Sequence, residues 1–175
     1  MSVLPCQWFF RAVTIFVAAL LFALSPAGSE AAVRRGQPGP SFKLFAINGQ
    51  PVSSEGLKGS VVVLDFWATW CPHCRDSIPF LSRLHRTYAA QGLQVVGMSA
   101  DEGGERVVRQ YVEGKAIPYL IVMATRKLLS DYSVRALPVV YILDRHGVVR
   151  EQFLGFSDQA GAVMEALVKK LLAEK

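Results

Sequence analysis

The chain has 175 residues, enough for one domain with a real core, and an apolar N-terminal tract raises its hydrophobic fraction to 51%. Its net charge of +5 comes from nineteen scattered Lys and Arg against fourteen Asp and Glu. No basic helix or aromatic-interleaved stripe is present, which argues against nucleic acid as a partner. Three cysteines and three histidines at these spacings do not make a four-ligand zinc site, so neither a metal nor a bound cofactor is expected.

Residues 1–32 read as a leader. Arg11 closes a short n-region, and Ala12 to Leu24 is an apolar segment of thirteen residues, which matches a signal-peptide core. It falls short of the roughly 20 residues that span a bilayer. Small residues follow to Ala32. Adding Trp8-Phe9-Phe10 lengthens the tract, so an uncleaved N-terminal membrane anchor is the alternative to a cleaved signal peptide. Either version places the remaining chain outside the cytoplasm, in the periplasm or an equivalent compartment where disulfides are made and reshuffled. Residues 33–41, with Gly36, Pro38, Gly39 and Pro40, read as a linker with nothing to pack, and residues 42–173 as the folded domain.

The domain opens with a small hairpin, Phe42 to Ile47 turning at Asn48-Gly49 into Pro51-Val52. Val61 to Phe66 is apolar on consecutive positions, as in a strand covered on both faces of an α/β sheet, and only Asp65 interrupts it. From Arg75, the spacing of Ile78, Leu81, Leu84 and Tyr88 predicts a helix ending near Gly92, which Pro79 should kink or open locally. Leu93 to Ser99 is the next core strand, Glu105 to Val112 a short helix, and Ile117 to Val122 a segment that begins as a loop and can end as a brief strand. Lys127 to Tyr132 reads as helical. Val139 to Leu143 is a strand that turns at Asp144-Arg145-His146-Gly147 and returns antiparallel through Phe153. Ser157 or Asp158 caps a last helix whose expected face is Val163, Leu167 and Leu171, with Met164 and Val168 flanking it.

The chemistry gathers where the first core strand meets its helix, at Trp70-Cys71-Pro72-His73-Cys74. A helix N-terminus has unpaired N–H groups and a positive dipole, which favour a thiolate at Cys71. Cys74, three positions on, is placed to attack a mixed disulfide formed at Cys71 and release the partner. His73 lies between the thiols and can stabilise the thiolate. Asp65 sits in an otherwise buried strand, where a lone carboxylate is costly unless protonated or paired; such a group has a raised pKa and can pass a proton to or from Cys74. Pro138 heads an apolar strand whose ladder it cannot join as a donor. His85 and His146 read as helix-surface and turn residues without chemistry.

The stretch Asp65 to Arg75 resembles the active-site segment of the thioredoxin superfamily, in particular its exported TlpA/ResA-like branch. The Gly-x-Pro-x-Pro-like opening, Pro79, and the segment Pro138 to Gly147 extend the resemblance across about Gly36 to Leu172. It implies a thioredoxin-like α/β fold: a mixed central sheet with helices on both faces and an N-terminal β-hairpin. It also implies a cis bond between Leu137 and Pro138 facing the Cys pair, with the Leu137 backbone, Trp70 and Pro72 contacting an extended substrate.

The expected activity is thiol–disulfide exchange with partner proteins, without a cofactor, recharged by a membrane or periplasmic redox partner. The branch suggests a reducing role of the kind used in cytochrome c maturation. The Pro72-His73 dipeptide instead resembles that of the strongly oxidising DsbA-type oxidases, and Asp65 stands where many branch members carry Asn. A periplasmic oxidase or isomerase is therefore one alternative. A thiol peroxidase is another, although the Pro-x-x-x-Thr-x-x-Cys setting is missing before Cys71. A third is a non-enzymatic thioredoxin-like binding module, which would not need the Cys pair, the acid and the proline together.

Overall fold

The computed structural model describes residues 33–174; the expected leader, residues 1–32, lies outside them. Among the described residues, no helix is long and apolar enough to cross a membrane. Seven strands and four α-helices are present there: β1 (Lys43–Phe45), β2 (Pro51–Ser53), β3 (Val61–Trp67), α1 (Cys74–Tyr88), β4 (Leu93–Ser99), α2 (Glu105–Gly114), β5 (Leu120–Met123), α3 (Arg126–Asp131), β6 (Val139–Leu143), β7 (Val149–Leu154) and α4 (Asp158–Ala173). The main sheet has the order β5-β4-β3-β6-β7. β3 runs parallel to β4, and β4 to β5, whereas β6 is antiparallel to both β3 and β7. β1 and β2 form the separate hairpin, with Asn48 Oδ1 accepting from Gln50 N–H at its turn.

β3 is central in the sheet and buried at every position, which its unbroken apolar run requires. Alternation sorts its side chains. Val61, Val63 and Trp67 enter one core layer with α1 and α4, whereas Val62, Leu64 and Phe66 enter the opposite layer with Tyr132 and Tyr141. This fixes the face of Asp65. It shares the side of Val63 and Trp67, the side on which Cys74 and α1 pack.

Three details differ from the sequence-based expectation. α1 runs through Pro79 without interruption: the proline lies in the second turn, and the ring is exposed. The buried face of α4 is Gly161, Met164, Val168 and Leu171, whereas Val163 is 53% exposed and Leu167 only partly buried. Gly161 sets this face, because the Phe80 ring passes 3.1 Å from where its Cβ would stand and draws the helix in along that line. Of the two expected cap residues, Ser157 is the one used, with its Oγ accepting from Ala160 N–H. Residues 36–40, read as linker, lie along the β6–β7 turn. Gly36 N–H donates to Val149 O, Gly39 N–H to Gly147 O, and Tyr132 Oη to Pro40 O. Polar backbone rather than side chains does the docking there, and hydropathy patterns carry no sign of it.

Candidate active site

The C-terminal end of β3 delivers Ala68 to Trp70 into a turn, where Cys71 N–H bonds Ala68 O, and α1 begins at Cys74. Cys71 and Cys74 are joined as a disulfide with Cα atoms 5.4 Å apart. Cys74 N–H, in the first turn of α1, donates to Cys71 Sγ at 3.2 Å. A sulfur that accepts from a helix N-terminus is stabilised as a thiolate once the disulfide opens. Cys74 is fully buried and Cys71 nearly so, whereas Pro72 and His73 are exposed. The attacking sulfur is thus the one nearer solvent.

Cys71 opens into a groove of about 400 Å³ lined by Trp70, Pro72, His73, Arg135 and Leu137. Trp70 is 64% exposed at its rim, an apolar surface of the kind a partner protein covers. Trp67, by contrast, is wholly buried and belongs to the core. The Leu137–Pro138 bond is cis, and Pro138 is buried at the head of β6. Cys71, Trp70, Pro72, His73 and Leu137, all singled out in the sequence, therefore meet in one groove.

Asp65 lies below this surface. It is fully buried, neither carboxylate oxygen has a hydrogen-bond partner, and desolvation raises its pKa from 3.8 to about 7. Its backbone pairs with Gly97 on one side and Val140 on the other, at the middle of the sheet. A carboxyl poised near neutrality, on the core face that holds Cys74, can accept or return one proton at physiological pH.

Two features of the site were not read from the sequence. Asp101, just past β4, accepts from Thr69 N–H (3.0 Å), Thr69 Oγ1 (2.5 Å) and Ser99 Oγ (2.8 Å). It ties the Trp70-Cys71 turn to the neighbouring strand. The available signal was its place at the C-terminal end of a core strand, where α/β sheets gather their functional loops. His85 is the second. It is half-buried rather than a surface residue, because its ring packs on Tyr119 at 6.1 Å between centroids, and burial together with Arg86 lowers its pKa.

A mixed sheet of this order, with a Cys-x-x-Cys pair at the start of the helix that follows its central strand, defines an enzyme of thiol–disulfide exchange. A family model described as the AhpC/TSA family matches residues 35–152, and the chain belongs to that family. Within it the chain falls in the thioredoxin-like, ResA-type branch. It is 32% identical over 127 residues to the thioredoxin-like protein YneN of Bacillus subtilis, covering 72% of this chain and 75% of that one. It is 28% identical over 137 residues to the thiol-disulfide oxidoreductase ResA of Bacillus thuringiensis, covering 78% of each. Among solved structures, a thiol:disulfide interchange protein of the thioredoxin family from Chlorobium tepidum superposes with a TM-score of 0.71 at 31% identity. That match covers 81% of this chain and all of the other. The chain is a thiol–disulfide oxidoreductase with a redox-active Cys pair.

Proposed function

We propose that the protein works outside the cytoplasm, exchanging disulfides with partner proteins through Cys71 and Cys74, with a bias toward reduction of its partners. The observation that carries this reading is the setting of Cys71: its sulfur is held by the Cys74 N–H at the start of α1 and faces a groove able to take an extended chain. In the reducing direction, the Cys71 thiolate attacks a partner disulfide and expels one partner sulfur as a thiolate. Cys74 then gives its proton to Asp65, attacks Cys71 Sγ, and releases the second partner sulfur. Two electrons pass to the partner, and the Cys71–Cys74 bond is restored. The oxidising direction is the same path reversed.

Trp70, Pro72, Leu137 and Pro138 supply the docking surface, with the backbone of Leu137 pairing with the substrate segment. His73 tunes the potential. A membrane or periplasmic redox partner recharges the pair, and a role in cytochrome c maturation is the version that the resemblance to the TlpA/ResA-like branch implies. The peroxidase activity known within the redoxin superfamily is the competing reading. Leu64 and Ala68 stand where that chemistry wants Pro and Thr, which counts against it.

Trapping distinguishes the readings. C74S should accumulate mixed disulfides between Cys71 and a disulfide-bonded peptide, and C71S should accumulate none. In the same assay D65N should slow resolution of the mixed disulfide at neutral pH without loss of fold. Rapid consumption of hydrogen peroxide by the parent, with no peptide adduct in C74S, would overturn the proposal.

A further inference from the structure

Among the described residues, five buried side-chain polar atoms have no hydrogen-bond partner: both carboxylate oxygens of Asp65, Trp67 Nε1, Tyr119 Oη and His85 Nδ1. Buried polar groups are nearly always satisfied, so each such group calls for a reason. These five lie on one side of the sheet. Trp67 and Tyr119 belong to the core layer that Asp65 faces, and His85 is on α1, which covers it.

They also form a sequence in space. Gly97 is the strand partner of Asp65, and a Cβ there would stand 2.9 Å from Trp67 Nε1 and 3.3 Å from Tyr119 Cε2. The two side chains thus converge over the backbone beside the acid. Tyr119 is close enough to Asp65 for the carboxylate, after burial, to raise the phenol's pKa. The His85 ring stands edge-on to Tyr119. His85 and Tyr119 both line a solvent-open cavity of about 530 Å³, alongside Asn48, Gln94, Arg109 and Glu113. No residue of this cavity lines the groove at Cys71.

We propose that Tyr119 and His85 form the path by which Asp65 exchanges its proton with solvent, leaving through the cavity between α1, β5 and α2 rather than through the substrate groove. The proposal rests on the reading of Asp65 as the proton acceptor for Cys74. A docked partner covers the groove at the moment when that proton must move, and a separate exit keeps the acid in contact with bulk water. Water entering from the cavity bridges the gaps between the three side chains. The proton passes from the Asp65 carboxyl to water and the Tyr119 hydroxyl, then to the His85 imidazole, and from there to cavity water; nothing is oxidised or reduced in the transfer. The other titratable groups facing this path are Tyr111, whose ring lies against Trp67, Arg86 beside His85, and Arg109 and Glu113 at the cavity. Burial first, and then the Arg86 charge beside it, lower the His85 pKa and so favour the neutral imidazole, the form that can both accept and donate.

The test follows the proton itself. The carbonyl stretch of protonated Asp65 is recorded by infrared spectroscopy on the full oxidised chain at about pH 6, where the carboxyl is mostly protonated, and is assigned by its loss in D65N. Rapid mixing with deuterium oxide gives the exchange rate. H85A and Y119F should each slow exchange at least about tenfold, the scale of losing one positioned acid–base group. Added imidazole, which can enter the cavity, should restore the rate in H85A. If H85A does not fold, His85→Gln must show the same slowing. An unchanged rate in either histidine variant or in Y119F overturns the proposal, as does slowing in H85A that imidazole does not reverse. The readout involves no thiol chemistry, so its failure is distinguishable from a failure of D65N to slow resolution.

Discussion

Cys71 Sγ accepts the Cys74 N–H at 3.2 Å, and His73, exposed between the two cysteines, lines the same groove. The potential of the pair depends on how far the reduced form is favoured, and that form carries the charge. Each 1.4 kcal/mol or so of thiolate stabilisation raises a two-electron potential by roughly 30 mV. A histidine at a helix end is worth about that or a little more. Pro72 has no N–H to offer either sulfur, so the dipeptide leaves His73 unopposed from the solvent side. If His73 supplies this contribution, H73P should equilibrate with glutathione at a potential lower by roughly 30 mV. A potential equal to or above the parent's would show that His73 does not act on the thiolate.

The Cys pair depends on how two elements are joined at their ends. β3 ends in a turn with no regular structure before α1, and Asp101 at the end of β4 holds that turn through Thr69 and Ser99. D101A leaves the Thr69 N–H and two hydroxyls without their charged acceptor, a loss of about 2 kcal/mol at the rate typical of charge-assisted bonds. Urea unfolding should show that loss, and disulfide exchange should slow several-fold because Cys71 is no longer held at the groove; an unchanged rate would mean the turn is held by other contacts. This clamp also marks where sequence reading stops. The apolar runs of β3, β4 and β6 are legible, because a strand buried on both faces must be apolar throughout. Asp65 is legible as the one exception within such a run. The Asp101–Thr69 contact spans 32 positions and depends on the β3–β4 register, which no local pattern encodes. The buried face of α4 is offset from the expected one for a similar reason. Val163, Leu167 and Leu171 make an acceptable apolar stripe, but only the approach of Phe80 to Gly161 selects the stripe that is buried. The helix position of His85 suggests a surface histidine, whereas its partner Tyr119 comes from a different element.

For the molecule as a whole, Asp65 is a cost carried at the centre of the sheet. Its pKa rises from 3.8 to about 7 on burial, with no cation or hydrogen-bond donor to offset the desolvation. The folded chain therefore binds more protons than the unfolded chain between about pH 4 and pH 7, and folding stability falls as pH rises through that window. Above about pH 7 both states have released the proton, and the loss is complete and constant. The shift corresponds to about 4 kcal/mol, a large share of the 5–15 kcal/mol or so that holds a domain together. An asparagine at the same place carries no charge to desolvate, although its buried amide still costs about 1–3 kcal/mol if unpaired. D65N should therefore be more stable than the parent by about 2 kcal/mol at pH 8, with the difference vanishing or reversing near pH 4. Urea unfolding of the oxidised proteins at the two pH values reads both ends of the window. Parallel pH profiles for parent and variant would show that the acid is not held protonated by the fold. A carboxyl that lowers stability at neutral pH, in a position where an amide would fit, is the cost that the proposed proton transfer to and from Cys74 would offset.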